Sequence, residues 1–450
     1  MRSFALPLLL AALLCPPALP AAEPYRFEGS SNLPLLIIDP GAQAIPNEPK
    51  IRATLSIIDH GKGKPNSLGD APTQQVPIMI EVRGSSSQMF DKKSYAIETV
   101  TDSGNDRPVE LLGLPREVDW ILYGPYSDKS LMRNHIAYEL SRRMGHYAPR
   151  TRFAEAFVRE REGDLAEQYV GVYLLVESIK RGQNRVDVPR LRRNDAGEIT
   201  GGYVLKVDRV GGPQTYFTSD YGSVLGFVSP RGSRLNDAQR AWIQHDFSQF
   251  EERLSRRDFR DPQEGYARFI DSDSFIDFFL LNELFKNVDA YFLSTFLHRT
   301  GDGRLKLGPV WDLDLSTGNA SYGGVWKAEG WMLFPDDPRR GSGMPFWWDR
   351  LFEDPDFRAR LLDRYVTLRK DVFSEAAVFT LIDETAQTLD SAQKRNFQRW
   401  PTLGRYVWPN PRPYARTYPE LIQNLKTWFH NRMIWMDENV EILASQGPQS

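Results

Sequence analysis

The sequence predicts an α+β chain in two lobes, a β-rich N-terminal lobe over 23–200 and an α-rich C-terminal lobe over 201–450. Three observations carry this. The chain has 450 residues, too many for one small core. Up to the loop at Lys180–Glu198, apolar residues mostly alternate with the two-residue period of half-buried strands. From Asn236 onward they recur mainly at helical spacing.

Residues 1–22 read as a secretory leader. Arg2 precedes an apolar run from Phe4 to Leu14, and Ala18-Leu19-Pro20-Ala21-Ala22 follows, with cleavage expected after Ala21 or Ala22. The run is too short to span a bilayer, and no later stretch is apolar for long enough. The protein is therefore expected to be exported, periplasmic or extracellular. Its single cysteine, Cys15, lies inside the leader, so the mature chain has no disulfide, thiolate nucleophile or zinc–sulfur site. A net charge of −3 argues against bulk nucleic-acid binding.

Residues 51–58, Val76–Arg83 and Ser94–Val100 read as strands, the last two joined by the small polar turn Gly84–Gln88. Arg83, Lys92 and Lys93 flank that turn, whose amides are a candidate phosphate cradle. Between strands such a turn is more often only a turn. Trp120–Leu122 is a short strand and Leu131–Met144 a helix, with Arg133, Asn134 and Glu139 as inward-pointing polar candidates. Arg152–Arg159 and Gln168–Ser178 pair as strands, the second reaching Glu177. Gly202–Val210 and Val224–Ser229 are further strands. Asn236 caps a helix, and Asp271–Lys286 is a second, nearly all apolar and so buried.

The stretch from Asn287 to Asn319 organises the chain. Strand-like runs Tyr291–His298 and Arg304–Val310 flank Thr300-Gly301-Asp302-Gly303, a strong hairpin signal. Antiparallel pairing about Gly301 would set Asp289 roughly opposite Asp312 and Asp314. Three converging aspartates repel unless a cation sits among them, and oxygen-only ligands suit Mg²⁺ or Mn²⁺. The plainer alternative makes Asp289 a turn residue and the other two a strand end. Gly318–Gly343 is a long loop and a candidate lid over a substrate. Helices at Pro355–Lys370, Glu375–Phe397 and Tyr418–Leu443 complete the second lobe.

The six histidines are scattered, with no His-Glu-x-x-His, and there is no Gly-x-Ser-x-Gly elbow, Walker loop or Rossmann fingerprint. What does occur, in order, is a small-residue turn, a lysine, a helix, an apolar strand ending in an acid, a buried helix feeding Asp289, and an Asp-x-Asp pair. Protein-kinase-like phosphoryl-transfer sites have this order.

At Arg83-Gly84-Ser85-Ser86 with Lys92-Lys93-Ser94-Tyr95, Asp128 through Asn134, Gly171-Val172-Tyr173 through Glu177, Asn287-Val288-Asp289 and Pro309 through Asp314, the chain resembles the CotH-type (spore coat protein H) kinases. These form an atypical branch with a two-lobed kinase-like fold. The resemblance covers roughly residues 75–370. It implies phosphoryl transfer from ATP with Mg²⁺ or Mn²⁺ to a hydroxyl acceptor, foremost protein Ser/Thr. It also implies that Lys93 contacts the nucleotide phosphates with Arg83 near by, that Glu177 lies beside the base, that Asp289 is the catalytic base, and that Asp312 and Asp314 hold metal. Ser294 stands where the family pattern has a metal-binding asparagine. The alternatives are an envelope or binding protein that keeps the fold without catalysis, and, less favoured, a metal-dependent hydrolase. Retention of Lys93, Asp289 and Asp312 together favours the kinase.

Overall fold

The structure, a computed structural model, describes residues 25–194, 197–212, 214–333 and 344–446. The leader and Cys15 lie outside them, as do residues 334–343 of the long loop.

Alternating sequence makes the first sheet. Strand Ile51–Ile58 pairs antiparallel with Leu35–Asp39 on one side and Gln74–Arg83 on the other. Ser94–Thr99, Asp119–Tyr123, Tyr169–Glu177 and Thr151–Val158 follow, each antiparallel to the last. Thr151–Val158 then pairs parallel with Leu35–Asp39, and the seven strands close into a barrel. Closure removes the sheet's edges. Every second side chain points inward, so Leu36, Ile38, Leu55, Ile78, Ile97 and Leu122 fill the interior.

Helix α1 (Arg133–Arg143) starts two residues later than its apolar pattern indicates, because Leu131 holds a positive φ of 65°. Helix α2 (Asp237–Ser255) begins with a complete capping box between Asn236 and Gln239. In α3 (Ser272–Phe285) every residue but Asp273 is buried, as its apolar run requires. Helices α4 (Trp347–Glu353), α5 (Pro355–Arg369), α6 (Glu375–Arg399) and α7 (Tyr418–Gln446) follow. None of the described helices is long and apolar enough to cross a membrane.

Strand is not confined to the first half. Tyr216–Thr218, Val224–Ser229, Val204–Val207, Thr295–Arg299 and Leu305–Leu307 form a second, antiparallel sheet among the helices. One continuous core joins this sheet, the helices and barrel residues such as Ile121, Leu174 and Val176. The fold is thus mixed α+β, with seven α-helices among the described residues.

The hairpin forms at the expected turn, but its strands are shorter than the sequence implies. Ladder pairing runs only from Leu297↔Leu307 to Arg299↔Leu305. Tyr291 and Ser294 have φ of 76° and 49°, and Gly308 has φ of 107°, so neither run can stay extended to its full length. Asp289 therefore does not sit opposite Asp312 by strand register. It lies in a turn in which Leu293 N–H donates to its carbonyl at 3.0 Å.

Candidate active site

Asp312 and Asp314 form the acidic centre, and α1 holds their backbone. Asn134 and Tyr138 lie one turn apart on one face of that helix. Leu313 N–H donates to Asn134 Oδ1 at 2.7 Å, and Asp312 N–H donates to the Tyr138 hydroxyl at 3.3 Å. The Tyr138 ring stacks on Trp311 at 5.8 Å and 13°. These contacts fix Asp312 in the left-handed region at φ 64°, a conformation aspartate tolerates better than most residues. On the far side, Asn319 Nδ2 donates to the Asp314 carbonyl at 2.8 Å.

The two carboxyls interact directly. Burial raises Asp312 above the usual carboxylate range and Asp208 raises it further; Arg83 opposes most strongly, with hydrogen bonds from Ser294 and Asp314. Burial, then the charge of Asp312, push Asp314 well above that range, and Asp128 and Asp289 add to it. A hydrogen bond from Tyr123 pulls the other way, its phenol donating to Asp314 Oδ2 at 3.0 Å. Two adjacent carboxyls in this state need a shared proton or a cation between them.

Each sequence-derived residue can now be placed. Asp289 is half-buried, and its charge reaches Asp314. The Ser294 hydroxyl donates to Asp312 Oδ2 at 3.4 Å. The Arg83 guanidinium lies 5.6 Å from the centre of the Trp311 ring, and its charge favours ionised Asp312. These residues come together.

Lys93 and Glu177 are engaged elsewhere. The Lys93 ammonium donates to the carbonyls of Gln88 at 2.8 Å and Phe90 at 2.6 Å, bracing the 3₁₀ turn Ser86–Met89. Glu177 is fully buried and is held by Arg185 at 2.5 Å, Arg150 at 2.8 Å and the Tyr147 hydroxyl at 3.1 Å. That network anchors the end of a barrel strand. Lys92 is the buried lysine of the pair, donating to Val172 O at 2.6 Å, Asn396 Oδ1 at 2.8 Å and Pro125 O at 3.2 Å.

Among the described residues, no three His, Cys, Asp or Glu side chains are grouped as a cage for a metal ion. The expected three-aspartate cage is therefore not formed. The donor set fits Mg²⁺ in another way: this ion is ordinarily held by one or two carboxylates together with waters and substrate phosphates. Asp312 and Asp314 are two carboxyls of that kind beside α1.

A cleft of about 1,010 Å³ opens between the barrel and the second sheet, lined by Arg83, Trp120, Lys180, Lys206, Asp208 and Trp311 among others. Lys206 Nζ donates to Asp208 Oδ2 at 2.8 Å. At the rim Arg209 Nη1 donates to the Ser85 hydroxyl at 2.9 Å, tying the second sheet to the Gly84 turn. Gly84 needs to be glycine: its φ is 113°, and a Cβ would come within 2.0 Å of Ser87 Oγ.

Sequence reasoning missed Tyr123, Asp208 and Asn319, and gave Asp128 no role of its own. Asp208 had a signal, since Lys206 and Asp208 share one strand face two residues apart. Asp128 is buried and pairs with Arg133 at 2.5 Å; Arg133 Nε in turn donates to Thr317 Oγ1 at 2.7 Å, clamping the chain just past Asp314. The described part of the long loop is pinned rather than free. Glu283 accepts from Met332 N–H at 2.7 Å and Leu333 N–H at 2.8 Å, and Lys286 donates to Gly324 O at 2.8 Å.

A search of curated proteins gives no match. Residues 80–436, which take in the acidic pair, all of the cleft lining but Lys50, and helices α1 to α6, match the family model described as CotH kinase protein. The chain belongs to the CotH kinase family.

Proposed function

We propose that this protein transfers a phosphoryl group from ATP to a hydroxyl of a protein acceptor, Ser or Thr, with a divalent cation. The observation that carries this reading is the adjacent, half-buried pair Asp312–Asp314, whose carboxyls are each held above the usual carboxylate range and would be relieved by a cation carrying nucleotide phosphates. The cation would neutralise phosphate charge and orient the donor. Arg83, held against Trp311 on the cleft wall, supplies further positive charge there. Asp289, whose field reaches the pair, is assigned as the base that orients the acceptor hydroxyl and takes its proton. Lys93 and Glu177 are assigned to bracing the turn and the strand end.

We further propose that the barrel region over 23–200 and the remainder over 201–450 act as the two lobes of a kinase-like fold, with nucleotide in the cleft. The leader-like residues 1–22 support action outside the cytoplasm.

A second reading, a non-catalytic binding protein on the same fold, is favoured by one observation: the Lys93 ammonium is taken up by the carbonyls of its own turn. Thermal melts with ATP, Mg²⁺ and both together separate the two. A nucleotide bound through the pair raises the midpoint only when both are present, the gain in stability being about 2.7 kcal/mol at a hundredfold excess over Kd. No shift with both ligands would end the phosphoryl-transfer reading.

A further inference from the structure

The chain as a whole is nearly balanced, with 56 Lys and Arg against 59 Asp and Glu. One segment breaks that balance. Between Asp390 and Glu420 there is no acid, while Lys394, Arg395, Arg399, Arg405, Arg412 and Arg416 are all basic. The first three are occupied. Lys394 pairs with Asp390 at 3.1 Å, Arg395 pairs with buried Glu155, and Arg399 lies over Trp400 at 3.9 Å. Arg405, Arg412 and Arg416 are exposed, and no carboxylate lies within ion-pair distance of their guanidinium groups among the described residues; Arg412 Nε donates to the Tyr414 hydroxyl at 3.3 Å.

Aromatic rings interleave with these arginines. Tyr406 is 56% exposed and Trp408 36%, large apolar areas to leave in water. Trp408 stacks on Tyr322 at 6.1 Å and 20°, and Tyr406 lies 6.0 Å from Tyr414. The ridge is rigid. It carries Pro409, Pro411 and Pro413, and Lys129 Nζ donates to the Arg405 carbonyl at 2.5 Å. Asn410 Nδ2 donates to Ser127 O and to Asn319 Oδ1, both at 2.9 Å, and Asn319 donates to the Asp314 carbonyl. Two amide side chains therefore separate the ridge from the acidic pair.

We propose that the ridge Arg405–Arg416 docks the acceptor protein and selects a segment with acidic side chains beside the reacting hydroxyl. The inference rests on the phosphoryl-transfer reading for the word acceptor, and on the ridge alone for the chemistry of what binds. Exposed arginines without a carboxylate partner seek one with bidentate geometry. Exposed Trp and Tyr beside Arg form the composition that dominates protein–protein contacts, whereas a polyanion or lipid surface is met by diffuse charge over a basic domain. A pre-ordered ridge also spends little entropy on binding.

Fluorescent 15-residue peptides test this on the full chain. One carries a central serine flanked by glutamates with two leucines; its control has glutamine at each glutamate. Anisotropy should show the glutamate peptide binding about tenfold tighter at low salt. The triple variant Arg405→Glu/Arg412→Glu/Arg416→Glu should lose that preference, and Trp408→Ala should weaken both peptides. All these side chains are exposed, so the far-UV spectrum and the ATP·Mg²⁺ melting shift should stay as in the parent. Equal binding of both peptides, or a preference that survives the triple variant, overturns the proposal. So does retention on phosphatidylglycerol vesicles without any peptide preference. Anisotropy needs no turnover, so a missing ATP·Mg²⁺ shift alongside intact peptide selectivity would sink phosphoryl transfer alone.

Discussion

The phenol of Tyr123 donates to Oδ2 of Asp314 at 3.0 Å, joining the end of a barrel strand to the acidic pair. The pKa of that phenol is pushed well above its ordinary value by burial and then by Asp314, so it remains a donor at any working pH. Its hydrogen bond favours ionised Asp314. Tyr123→Phe should therefore make Asp314 harder to ionise. Because a hydrogen bond to a charged group contributes about 1.5–3 kcal/mol, kcat/KM should fall roughly tenfold or more at neutral pH. The acid limb of the pH–rate profile should move to higher pH. An unmoved limb would mean that Asp314 does not have to be ionised.

Asp314→Asn should stabilise the cation-free protein. Asp314 in the folded chain holds its proton more tightly than in the unfolded chain. Stability from this group is complete below the unfolded carboxylate value and is lost as pH rises through the folded one. Above that window the parent carries a repulsion that the variant lacks, worth on the order of 1 kcal/mol. Melts should show the variant ahead at pH 8 and the gap closing toward pH 4. Mg²⁺ should narrow the gap at pH 8 by raising the parent.

Asp289→Ala and Asp312→Asn should fail differently. The first should remove transfer, a loss of about 10² to 10⁴ in kcat for a missing base, while the ATP·Mg²⁺ melting shift persists. The second should abolish that shift. Phosphorylation by the Asp289 variant at the parent rate would refute its role.

Arg432→Met should be severe although it is remote from the cleft. Arg432 is fully buried, donates to Ala328 O and Gly330 O at 2.7 Å each, and pairs with Glu283 at 3.1 Å. Burial pulls it down to about 10, still protonated at neutral pH. Leaving Glu283 buried without its cation should cost about 3–5 kcal/mol in urea unfolding. Proteolysis should appear first within 322–333. Replacing both partners, as Glu283→Gln with Arg432→Met, should cost less than the single change.

Local chemistry made much of this legible in the sequence. The Asn236 cap, Pro355 opening α5 and the buried run of α3 are short-range signals, and each lies where its pattern placed it. The hairpin turn was readable from Asp302-Gly303, with Gly303 at φ 87°. Its reach was not, because Tyr291, a residue type that favours strands, and Ser294 hold positive φ that tertiary packing imposes. The adjacent lysines show the limit at a site. Alternation puts Lys92 and Lys93 on opposite sides, but which one is buried depends on Pro125, Val172 and Asn396, scattered over more than 270 positions. Tyr123 and Asp314 are 191 residues apart, and no periodicity links them.

The carbonyl of Ser127 accepts from two amides, Asn319 and Asn410. Barrel, acidic loop and arginine ridge therefore share a single pivot atom. Were a nucleotide to sit in the cleft and a polypeptide on the ridge, as proposed, any change in the one's hold that reached this atom would by reciprocity be felt in the other's affinity.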